Sequence, residues 1–122
     1  YEVSIYRQLA RLYVARYGCS GDVRDIRRAV AAARRAVMLY PALPKGYVLL
    51  GQCLGLLGRV EGSPARLEAA IRAMRHALEL DAARPASEQI RRFSPRRRMR
   101  ICEQIRELVE LRGRYATSAP AR

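Results

Sequence analysis

Tyr6-Arg7-Gln8-Leu9-Ala10-Arg11-Leu12-Tyr13 is answered forty-one residues later by Tyr47-Val48-Leu49-Leu50-Gly51-Gln52-Cys53-Leu54. An aromatic, a leucine, a small residue and a bulky apolar residue fall at matching places. The same shift carries Gly21-Asp22 onto Gly62-Ser63 and Ile26 onto Leu67. It also carries Ala29, Ala33, Ala36, Val37 and Leu39 onto Ala70, Met74, Ala77, Leu78 and Leu80. Self-similarity at a fixed period marks supersecondary units that bury their apolar faces against one another.

Each unit reads as two helices. Apolar residues three and four apart (Ile5, Leu9, Leu12; Tyr6, Leu9, Tyr13) predict a first helix over about Val3 to Tyr17. Ile26, Ala29, Val30, Ala33, Ala36 and Val37 give a buried stripe to a second, about Val23 to Tyr40. Asp22 fits the N-cap, with Asp25 three residues on as a variant capping box. Pro41 and Pro44 end that helix. The second unit repeats the pattern with a helix near Lys45 to Arg59 and a Gly62-Ser63-Pro64 turn. Its second helix runs to about Asp81, capped by Ser63 and with Pro64 at its first position.

On these residues the chain resembles the tetratricopeptide repeat. The roles of that family's motif fall on Tyr6, Leu9, Ala10, Tyr13, Ala29, Ala33, Ala36 and Pro41. They fall again on Tyr47, Leu50, Gly51, Leu54, Ala70, Met74, Ala77 and Ala82. Ala33 and Met74 depart from the pattern, where an aromatic is usual. The period of 41 exceeds the usual length of about 34, and the extra residues are expected in lengthened turns, Gly18 to Asp22 and Val60 to Ser63. The resemblance implies an all-α fold of antiparallel helical hairpins stacked as a short right-handed α-solenoid. Repeat 1 covers about 3–41 and repeat 2 about 44–82.

Ser94-Pro95 copies the Ser63-Pro64 helix start at a shift of 31. That alignment makes a C-terminal capping unit over about 86–114, with a short helix from Ala86 to Phe93 and a closing helix from Pro95 to Arg114. Residues 1–114 thus form one domain, and 115–122 a disordered tail.

The formal net charge is +13, and Lys45 is the one lysine among 24 basic residues. Arg84 to Arg100 holds seven arginines against one glutamate. Such a block is a solvated face or a surface for phosphate or acidic protein. Cys19, expected in a loop, and Cys53 and Cys102, on helices, have no ligand spacing and read as reduced thiols. His76 reads as a surface residue. Glu103, Glu107 and Glu110 are expected to pair with Arg106 and Arg100 along one helix. No catalytic residue, metal site or cofactor is indicated. No apolar stretch is long enough to span a membrane. Because the chain opens at Tyr1, excision from a larger parent protein is expected; the sequence does not fix the compartment, which is the bacterial cytoplasm, or the cell envelope or exterior if the chain is so excised. The repeats also look similar to soluble tails of bacterial envelope proteins such as O-antigen-ligase-like polymerases.

Three surfaces are candidates. By the family resemblance, Arg7, Arg11, Lys45, Leu49 and Gln52, with Leu56 beside them, face a protein-binding groove. Arg7 and Lys45 match a carboxylate clamp in charge, whereas Arg11 and Leu49 depart from its residue types. Arg91, Arg92, Arg96, Arg97, Arg98 and Arg100 form a basic patch suited to nucleic acid, with only Phe93 to stack on a base. Tyr1, Val3, Ile5, Leu12 and Tyr17, with Val14, form an apolar assembly face at the open end of the first hairpin. The function expected is a non-enzymatic interaction or self-assembly scaffold, its partner a protein or further copies of the chain. Electrostatic nucleic-acid binding is the alternative. Gly51, Gly55 and Gly58 are read as close hairpin packing rather than a dimer seam.

Overall fold

The computed structural model describes residues 2–85 and 92–118, without the side chains of residues 2, 3 and 118. The described residues form five helices: α1 (Glu2–Ser20), α2 (Val23–Leu39), α3 (Pro44–Glu61), α4 (Pro64–Ala82) and α5 (Pro95–Ser118). Each helix packs on the next in sequence, α4 and α5 included. In addition α1 touches α3, and α3 touches α5.

The helix starts follow from their caps. The Asp22 side chain accepts from the Arg24 N–H at 2.9 Å. Asp25 does not reach back to the Asp22 N–H directly. That N–H donates to Ser20 Oγ, which donates in turn to Asp25 Oδ2 at 2.8 Å. Ser63 and Ser94 accept from the N–H three residues on, that of Arg66 and Arg97 respectively, so the two Ser-Pro starts share one local chemistry.

The turns correct an expectation. Only Gly21-Asp22 separates α1 from α2, and only Gly62-Ser63 separates α3 from α4. The period of 41 is filled by long helices, not by long turns. Gly21 and Gly62 stop their helices with φ of 68° and 63°, a left-handed conformation that costs glycine nothing. Cys19 is therefore helical and exposed. Likewise α5 runs on to Ser118 rather than ending at Arg114. The expected short helix over Ala86 to Phe93 falls mostly outside the described residues, and Arg92 and Phe93 are not helical.

Small residues set the helix separations. Ala29, Ala33, Ala36, Ala70 and Ala77 are all buried. A Cβ on Gly51 would stand 2.5 Å from Met74 Cγ and 3.1 Å from the Ala70 carbonyl; one on Gly58 would meet Leu67. These glycines seat α4 on α3. A Cβ on Gly55 would stand 3.0 Å from Leu108 Cδ2 of α5, so a single helix face serves two neighbours.

The place of α5 differs from the expectation of a second helix in a third unit. It packs on α4 and touches α3, as α3 packs on α2 and touches α1. Its contacts therefore repeat those of α3 rather than those of α4. Ser94-Pro95 specifies how a helix starts, not which layer it joins.

Candidate functional site

Along the seam between α3 and α5 lie three depressions. The first is lined by Leu43, Lys45, Arg84, Arg92, Phe93, Ser94 and Arg97, with a volume of about 510 Å³. Gln52, Gly55, Leu56, Gln104 and Leu108, over Gly51 and Met74, line the second, of about 310 Å³. Arg59, Glu107, Leu111, Arg114 and Tyr115 line the third. Lys45 thus shares a depression with Arg97, Gln52 with Gln104 and Arg59 with Leu111. Each step is seven residues, two helical turns, on both helices, so α3 and α5 run parallel.

The first depression is cationic. Lys45, Arg84, Arg92 and Arg97 line it, and no acid does among the described residues. Arg97 lies over the Phe93 ring, 5.2 Å from its centroid, a contact that holds the guanidinium in place. Arg7 adjoins from α1. Burial, then the like charges of Arg11 and Arg97, hold its guanidinium below the ordinary value. Its buried Nε has no hydrogen-bond partner among the described residues, and the same is true of Arg92 Nε. Arg92 is fixed from the other side, where it donates to the carbonyls of Ala82 and Arg84.

The central depression is apolar below and polar at one rim. Gln104 Oε1 is buried there without a partner among the described residues. Beyond it, Arg59 pairs with Glu107 at 3.6 Å, so Glu107 bridges two helices instead of pairing along its own. Tyr115 donates to the Arg59 carbonyl.

Two surfaces expected to be separate therefore meet. Arg7, from the groove, approaches Arg97, from the basic patch, and Lys45 lines the same cleft as Arg92 and Arg97. Arg11 and Gln52 are exposed and Leu56 is half-buried. Leu49 is corrected: at 6% exposed it is a core residue. The patch is corrected as well, because its six arginines do not form one free surface. Arg98 is spent on buried Asp81 at 2.6 Å, Arg92 is tied through Nη2 to backbone carbonyls and turned into the cleft, and Arg91 lies outside the described residues. Arg96 and Arg100 alone are exposed with no role in the cleft.

On the assembly face, Ile5 and Leu12 are 55% and 62% exposed. Tyr17 and Val14 are packed against the core, so they do not extend that face outward. Tyr1 and the side chain of Val3 lie outside the described residues. Met38 and Tyr40 are exposed at the end of α2, where the repeat pattern assigns no role.

Among the described residues no three His, Cys, Asp or Glu side chains come together as metal ligands. His76 is exposed, with its ring edge-on to Tyr47 and its Nδ1 3.8 Å from Glu79. No described helix is long and apolar enough to cross a membrane. Compared with known proteins, the chain matches no family model, no curated protein and no solved structure.

Proposed function

We propose that this chain is a non-enzymatic interaction module of the tetratricopeptide type that holds an acidic polypeptide segment along the seam of α3 and α5, with α1 at its flank. The observation that carries the reading is the convergence of Lys45, Arg92 and Arg97 beside a depression with an apolar floor. Lys45 to Arg59 spans about 21 Å of helix, a length that suits about six extended residues. A linear ligand would place its carboxylates at the cationic end and an apolar side chain over Gly55. A backbone N–H would then be within reach of the unpartnered Gln104 oxygen.

The test is fluorescence anisotropy with a short peptide rich in Asp and Glu and carrying one central Leu. Binding should weaken roughly tenfold or more in Arg97→Glu, as expected for losing a charge-assisted contact. Gly55→Leu should weaken it as well, by filling the central depression. A peptide bound equally by wild type and both variants sinks the proposal.

A second reading, self-assembly, is favoured by the exposed pair Ile5 and Leu12. Seven residues apart on α1, they share one flank of that helix. In this reading copies meet through that flank, and α1 is buried on both sides.

A further inference from the structure

We infer that the cationic cleft at the start of α3 and α5 takes a phosphate monoester dianion carried by the bound segment; this rests on the reading of the seam as the binding face. Side-chain carboxylates along the segment bring one negative charge each, spaced along the chain. The cleft instead concentrates Lys45, Arg92 and Arg97 around one volume. Like charges so placed repel one another, and a compact dianion with three acceptor oxygens relieves that repulsion best.

The walls agree with this. Asp81, which lines the adjoining depression, cannot act as an internal counter-ion. Its two oxygens are taken by the Phe93 N–H at 2.8 Å and by Arg98. Arg92 is anchored through Nη2, which presents a fixed guanidinium with an orphaned Nε. The N-cap of α3, Leu43, supplies no side-chain acceptor to the first-turn amides. Leu43 and Lys45 line the same cleft as Ser94 and Arg97, so the positive ends of two helices face it. Helix N-termini add favourably to a site already cationic. The linear seam leading away from the cleft selects a polypeptide as the carrier over a flat lipid surface.

The experiment compares a short acidic peptide bearing one phosphoserine with the same peptide bearing two glutamates in its place, at fixed ionic strength. Matched charge isolates the phosphate. The phosphopeptide should bind roughly tenfold more tightly. Lys45→Gln and Arg97→Gln should each remove that preference, with melting temperatures confirming that both variants are folded. Arg72→Gln, on α4 and lining none of the depressions, should leave it intact. Equal binding of the two peptides overturns the inference and leaves the acidic-segment reading standing. Failure of both peptides overturns both. A preference for phosphoserine that survives Lys45→Gln and Arg97→Gln overturns the placement in this cleft. Binding to vesicles containing phosphatidic acid, without binding to the phosphopeptide, overturns the polypeptide source in favour of a membrane surface.

Discussion

Asp81 stands in the last turn of α4, where the negative end of the helix dipole disfavours another negative charge. It is only 1% exposed, so something must repay its burial. Phe93 N–H and Arg98 do so, and together they staple the start of α5 to the end of α4. Asp81→Ala should cost about 2–3 kcal/mol, because a buried N–H and a cation lose their acceptor together. Asp81→Asn should cost less, since it keeps an acceptor for Phe93. Urea midpoints decide it, and equal midpoints for wild type and Asp81→Ala would show that the staple does nothing. An acid in a last turn could have been noticed in the sequence. Its partners, seventeen and twelve residues away, could not, because only the fold brings them back. Cys53 makes a second case. Burial pushes its thiol from the usual 9.0 up to about 12, and the thiolate is the reactive form. A thiol reagent at pH 8 should therefore titrate exposed Cys19 and Cys102 in the native protein and reach Cys53 only on unfolding. Three thiols reacting at one rate would contradict this burial. The sign of the linkage also follows. The stability held in the protonated thiol is complete below about pH 9 and is lost as pH climbs towards 12.

Between elements, contact is governed by what is missing from side chains. Gly51→Ala and Gly58→Ala each gain helix propensity of about 1 kcal/mol. Both should nevertheless destabilise the fold, by about 1–3 kcal/mol, because the new methyl meets Met74 and the Ala70 carbonyl, or Leu67 and its backbone N. Gly113→Ala in α5 meets nothing within 4 Å, and there propensity alone should act, stabilising by about 0.5–1 kcal/mol. Thermal melts read the opposite signs directly. Ala36→Leu and Ala77→Leu should follow the first pair, and exposed Ala31→Leu should not. The helices themselves were legible at this scale. Spacing of Ile26, Ala29, Val30 and Ala33 placed α2, and Ser63-Pro64 and Ser94-Pro95 placed two starts. Turn length was not legible, since Gly18 looks like a breaker and yet sits inside α1 with open space around it. Nor was the layer that α5 joins, which depends on Leu108 meeting Gly55 across the chain. The cationic cleft escaped for the same reason: Arg7, Lys45 and Arg97 belong to three different helices.

For the whole molecule, charge and apolar surface pull association in opposite directions. Each copy carries a formal charge of +13, so two copies repel at long range, and salt reduces that repulsion. Contact through Ile5 and Leu12 is apolar and is strengthened, not weakened, once the repulsion is screened. Filling the cationic cleft with an anion has the reverse dependence, because salt competes for Lys45, Arg92 and Arg97. Sedimentation of the wild type from about 50 mM to about 500 mM salt should therefore show mass rising, while anisotropy with the acidic peptide falls over the same range. Leu12→Glu should hold the protein at the monomer mass throughout and leave peptide binding unchanged, since Leu12 lines none of the three depressions. Arg97→Glu should do the converse, weakening the peptide and sparing the assembly. Contact through one flank of α1 with itself is isologous and stops at a dimer, whereas contact with a different surface propagates. The mass reached at high salt tells these apart. A wild type that stays monomeric at every salt concentration would sink the assembly reading and leave the α3–α5 seam untouched.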